Sequence, residues 1–178
     1  MKMNLPNKLT VLRVLMIPFF VFFMLYPHTG GWMKWAALII FVLASLTDLL
    51  DGKIARKYNL ITNFGKFMDP LADKLLVCSA LICFVATGQV PAWVVIVIIS
   101  REFIVSGFRL IASDKGIVLA AGMSGKIKTV LQMIMTILVI ADIPGFEWIE
   151  QLFIYASLIM TVVSLADYLY HNQDVLKN

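Results

Sequence analysis

Cysteine and histidine are scarce: the 178 residues hold two of each, and none of the four falls inside the acidic cluster at 48–73. That leaves little material for a thiolate or imidazole zinc site. Cys78 and Cys83 lie five residues apart in one apolar stretch, so on a helix they point in different directions. This excludes a mutual disulfide and metal-ligand spacing, and both read as small packing residues. Basic residues do not gather into a soluble basic face, so no nucleic-acid partner is expected. The net charge of +4 suits anionic lipid headgroups instead. There is no internal repeat, low-complexity tract or linker, and 1–178 reads as a single domain. No cleavable leader is expected, because residues 1–10 are polar and no small-residue site follows the first apolar run. That run is expected to remain as a membrane helix.

What is abundant is apolar surface. The chain is 61% hydrophobic, more than a soluble domain of this length can bury. The fold class expected is all-α, a polytopic membrane protein with six transmembrane helices. The windows run over 9–26, 32–50, 70–87, 91–112, 126–143 and 148–170. Short turns with few cations (HTGG, GQVP and DIPGFE) alternate with basic connections. Of the fifteen lysines and arginines, only Lys34 falls clearly on the turn side. The positive-inside rule then puts both termini in the cytoplasm. Trp32, Trp35, Trp93 and Trp148 lie near the opposite ends of spans, as an interfacial belt would.

Against this background four carboxylates stand out. Asp48, Asp51, Asp69 and Asp73 sit at the inner ends of the second and third windows. Ionised groups near hydrocarbon are expensive and face a partner or a watery cavity. Spacings of three and four residues put each pair on one helix face. Four converging negative charges repel unless a cation lies among them, which points to a divalent-metal site. The second helix is expected to continue through Asp51, Gly52, Ala55 and Arg56, its two small residues leaving the backbone open to a bulky ligand. The third is expected to open at Asp69-Pro70, an acidic cap followed by a first-turn proline.

The array Asp48-x-x-Asp51-Gly52-x-x-Ala55-Arg56, eight residues, then Gly65-x-x-x-Asp69-x-x-x-Asp73 resembles the signature of the CDP-alcohol phosphatidyltransferases. PNKLTVLR at 6–13, REFIVSGFRLIA at 101–112 and GKIKTVLQM at 125–133 look like the bacterial branch that uses glycerol phosphate. The resemblance implies the six-helix fold of that family, in the bacterial cell membrane, with the active site in a polar cavity open to the cytoplasm. It implies transfer of the phosphatidyl group from CDP-diacylglycerol to sn-glycerol 3-phosphate, with release of CMP. Membrane lipids and a second copy, as a homodimer, are the implied partners. The implied cofactor is Mg2+ or Mn2+, with two ions held by Asp48, Asp51, Asp69 and Asp73. CDP-diacylglycerol is implied to bind at Asp48, Asp51, Gly52, Ala55, Arg56 and Gly65. Asp73 carries the implied role of general base, although spacing alone does not separate it from Asp69.

Glycerol phosphate needs cations. Arg109 and Lys126 are the first candidates, then Arg101 and Lys128, with Thr10 on the amino-terminal segment as a further contact. Positions 101, 105, 109 and 112 lie roughly on one helix face, so both arginines can point inward. Arginine grips phosphate bidentately, which suits specific recognition. Each cation has a plainer role open to it: Arg101 pairing with Glu102, and Lys126 and Lys128 as positive-inside anchors. Thr10 and Arg13 can equally cap and anchor the first helix. Two rival functions stay open. Another acceptor alcohol would use the same signature, and a magnesium transporter would also use intramembrane carboxylates.

Overall fold

Each apolar window becomes a helix. A computed structural model of the chain describes residues 5–26, 31–57, 63–114 and 122–173, with side chains at all of these except 5, 6, 49–57, 63–67, 69, 70, 73 and 114. The helices are α1 (Leu5–Leu25), α2 (Trp32–Lys57), α3 (Asn63–Ala86), α4 (Ala92–Asp114), α5 (Met123–Ala141) and α6 (Glu147–His171). Among the described residues there is no strand. The helices fall into two compact units, Met1–Thr87 and Gly88–Asn178.

In the first unit α1 packs on both α2 and α3, and α2 packs on α3. Ala37, Phe41 and Ala44 recur at helical spacing on α2 and are fully buried. Phe41 meets Phe20 of α1 with ring centroids 5.8 Å apart. Leu76, Ala80, Leu81 and Phe84 close this core from α3. In the second unit α6 packs on α5 and on α4. Ile98, Met135, Ile140 and Ile154 supply its apolar centre. Ahead of α4 the side-chain amide of Gln89 donates to the Val139 carbonyl of α5 at 2.9 Å. Gly88 (φ 75°) and Gly145 (φ 88°) take left-handed conformations in the two turns, where a side chain would strain the backbone.

The outer surface is that of a membrane protein. Large apolar side chains such as Phe19, Ile96, Phe103 and Leu110 are exposed, while Asn7, Thr10, Arg13, Arg101, Lys128 and Gln132 are buried. Water would favour the reverse arrangement. By length and composition, α1 over Asn7–Leu25, α5 and α6 are each apolar enough to cross a bilayer. Trp32, Trp35, Trp93 and Trp148 are all exposed, near the starts of α2, α4 and α6. Cys83 is buried and Cys78 half-buried on α3.

One boundary differs in a way that matters. The third helix does not open at Asp69-Pro70 but at Asn63, so Asp69 is an interior residue and not a cap. Nothing in the six residues before Asp69 breaks a helix. Pro70 costs one backbone hydrogen bond without ending the element, as prolines within membrane helices commonly do. Gly65 therefore falls in the first turn of α3. The second helix runs on to Lys57, as expected.

Candidate active site

The signature occupies the facing ends of α2 and α3. Asp48 and Asp51 precede the end of α2 at Lys57 by nine and six residues; Asp69 and Asp73 follow the start of α3 at Asn63 by six and ten. At 1.5 Å rise per residue these offsets match to about one residue. The side chains of Asp51, Gly52, Ala55, Arg56, Gly65, Asp69 and Asp73 lie outside the described residues. Asp48 is described, and its surroundings are specific. Arg13 of α1 donates from Nη1 to Asp48 Oδ1 at 2.6 Å and from Nε to the Ala44 carbonyl at 3.2 Å. The Arg13 side chain is 0% exposed, whereas that of Asp48 is 32% exposed. The cation is thus sealed inside the unit and the carboxylate stands partly open. Thr10, one turn before Arg13, is also fully buried.

The second unit holds its own polar cluster. Arg101 Nη1 donates to Glu102 Oε1 at 3.1 Å, and Lys128 Nζ of α5 donates to the same oxygen. Arg101 and Lys128 are both buried, at 8% and 2% exposure. Arg101 Nε is buried without a hydrogen-bond partner among the described residues. Arg109 and Lys126 are exposed instead. On α4, Val105 and Ala112 are buried with Arg101, but Arg109 lies about 80° around the helix from Arg101 at 100° per residue, and it turns outward. At the start of α5 the Ser124 hydroxyl donates to Asp167 Oδ2 of α6, and Asp167 Oδ1 lies 3.0 Å from His171 Nδ1. Lys126 and Lys128 fall in the first two turns of α5, where the helix dipole disfavours cations. Their presence there calls for a negative partner, and for Lys128 it is Glu102.

A family model for CDP-alcohol phosphatidyltransferase matches residues 3–163. The chain belongs to the CDP-alcohol phosphatidyltransferase family. It is 47% identical over 98% of its length to the CDP-diacylglycerol–glycerol-3-phosphate 3-phosphatidyltransferase of Bacillus subtilis, covering 97% of that protein. The protein of the same name from Escherichia coli is 40% identical over 75% of each chain. A third, from Rickettsia typhi, is 35% identical over 90% of this chain and 92% of its own.

The signature aspartates of α2 and α3 make a donor set that would fit a hard divalent cation. It consists of carboxylate oxygens alone, the hard ligands that Mg2+ and Mn2+ prefer. Asp48, partly open to solvent, presents such a carboxylate at the charged end of an apolar bundle. The pairing of Arg101 with Glu102, one of the roles open to that arginine from the sequence, is present. Two contacts escape the reading from spacing: the grip of Arg13 on Asp48 and the use of Glu102 by Lys128. A signal for the first was present. An arginine within an apolar run must find a carboxylate, and Asp48 is the nearest signature residue to the membrane-spanning part of α2.

Proposed function

We propose that this chain transfers the phosphatidyl group of CDP-diacylglycerol to a hydroxyl of sn-glycerol 3-phosphate, giving phosphatidylglycerol phosphate and CMP. The observation that carries this is the complete eight-position signature on α2 and α3, in a chain 47% identical along nearly its whole length to an enzyme of that name. The family match spans both compact units, which supports one catalytic domain over 1–178. Six spans are proposed on the six apolar windows, both termini and the site on the cytoplasmic side on the charge asymmetry of the connections, and a bacterial cell membrane on the resemblance. A homodimer is proposed on the family resemblance.

Divalent-cation dependence is general in the family. Here Asp48, Asp51, Asp69 and Asp73 would hold Mg2+ or Mn2+. When bound, such a cation offsets negative charge on the pyrophosphate oxygens and on departing CMP. Gly52 and Ala55 leave the α2 backbone open to the cytidine nucleotide, with Arg56 beside it and Gly65 in the first turn of α3. The acceptor hydroxyl is a weak nucleophile until its proton is taken. Asp73 accepts that proton on a carboxylate oxygen as the hydroxyl oxygen bonds to the phosphorus bearing diacylglycerol. The bond from that phosphorus to the bridging oxygen breaks, and CMP leaves with the electron pair.

The acceptor phosphate is taken by cations of the second unit. Arg109 and Lys126 are exposed, and Arg101 and Lys128 are buried beside Glu102. Thr10 is proposed as a further polar contact. Asp73→Asn tests the base: turnover is expected to fall about 10^2- to 10^4-fold. Because Asp73 also stands in the metal set, Mn2+ binding is measured alongside, and the fall is assigned to the base only where Mn2+ is supplied at saturation. Normal turnover in that variant removes Asp73 from the role. A magnesium transporter would not release CMP, so an assay of the purified chain with both substrates separates the two classes.

A further inference from the structure

We infer that Arg13 is a positioning residue for Asp48, fixing the orientation in which that carboxylate meets the divalent cation; this rests on the metal reading above. The guanidinium reaches α2 at two points one turn apart. Nε donates to the Ala44 carbonyl at 3.2 Å and Nη1 to Asp48 Oδ1 at 2.6 Å. A planar fork with one prong on backbone and the other on a side chain fixes the second relative to the first. Ala44 is fully buried, so the backbone prong is anchored in the core of the unit. Arg13 itself has no exposed surface, and its position is set by packing rather than by solvent. The Asp48 side chain, 32% exposed, is the open end of this pair. A buried arginine that only balanced charge would need one contact; the second contact, to backbone, adds direction.

Charge and geometry can be separated. Arg13→Lys keeps the positive charge and loses the planar fork. Outer contacts that orient metal ligands typically carry 10- to 100-fold in metal affinity when changed. Mn2+ binding to the purified full-length chain in detergent, followed by electron paramagnetic resonance, reads this directly. The expected result is Mn2+ binding about 10-fold or more weaker in Arg13→Lys, with helix content and melting temperature near those of the unaltered chain. On an Asp48→Asn background the same change is expected to add less than about two-fold, because it acts through the missing carboxylate. Arg13→Gln also loses the two-point reach and is measured alongside, so that poor folding of one variant leaves the other decisive. Unaltered Mn2+ affinity in the folded variants, or the same loss repeated on the Asp48→Asn background, overturns the proposal. If the unaltered chain binds no Mn2+, the metal reading falls and this inference falls with it; if it binds and Arg13→Lys binds equally, only this inference falls.

Discussion

Glu102 gathers two buried cations on one carboxylate oxygen, and each of its neighbours depends on it differently. Arg101 is adjacent in sequence, whereas Lys128 arrives from α5, so the contact ties two helices of the second unit together. Removing one partner of a buried ionic cluster costs about 3 kcal/mol or more, chiefly through the charge left behind. Glu102→Ala is accordingly expected to lower the melting temperature in detergent by several degrees, and Glu102→Gln by less; unchanged melting in both would show the cluster to be weak. Arg109, exposed on α4, should behave in the opposite way. Arg109→Ala is predicted to leave melting unchanged and to raise the apparent KM for glycerol 3-phosphate far more than that for CDP-diacylglycerol. Equal shifts for both substrates would count against its place at the acceptor phosphate. The spacing of the aspartates places each pair on one helix face, and the structure describes the side chain of Asp48 alone among the four. The Arg101–Glu102 pair, adjacent in sequence, was legible as a contact; the Arg13–Asp48 and Lys128–Glu102 contacts were not, since those partners lie 35 and 26 positions apart. Periodicity within one helix carries no information about which neighbour it meets.

At the level of the helices, the apolar windows predicted all six elements to within a few residues at most ends. The exceptions arise where polar sequence continues a helix beyond its apolar stretch. α3 begins at Asn63, seven residues ahead of the window at 70–87, because hydropathy marks the part of a helix that suits lipid and not its full length. Part of the signature, Gly65 and Asp69, falls in that added stretch of helix. The turns offer a sharper test. Gly145 has φ 88°, a conformation that costs a residue with a side chain about 1 kcal/mol or more. Gly125, by contrast, sits in α5, where an added Cβ would lie 3.6 Å from Arg101 Nη2, an ordinary contact. Gly145→Ala is therefore expected to destabilise the chain by about 1 kcal/mol and Gly125→Ala to be neutral or slightly stabilising, as helix propensity favours alanine. Thermal melting of the two variants checks the pair, and the reverse order would contradict the assigned turn.

Across the described residues of the molecule, many large apolar side chains are exposed while several charged and polar ones are buried, a distribution that suits a protein whose solvent is lipid. The proposed orientation makes a prediction of its own: a cysteine placed at Gln173 should react with an impermeant thiol reagent only from the cytoplasmic side, and one at Gly145 only from the other. Reaction of both from one face would undo the six-span arrangement. Fold class and family could be read early, because the apolar windows and the eight signature positions are local patterns. The acceptor was legible only through the resemblance of the segments 6–13, 101–112 and 125–133, since the signature serves the lipid donor common to the family. The most direct measurement offers the purified chain CDP-diacylglycerol and Mg2+ with equal concentrations of sn-glycerol 3-phosphate, serine and inositol phosphate, and identifies the lipid product by mass. The account predicts CMP released in step with phosphatidylglycerol phosphate and little else; a different phospholipid as the main product, or no CMP at all, would contradict it.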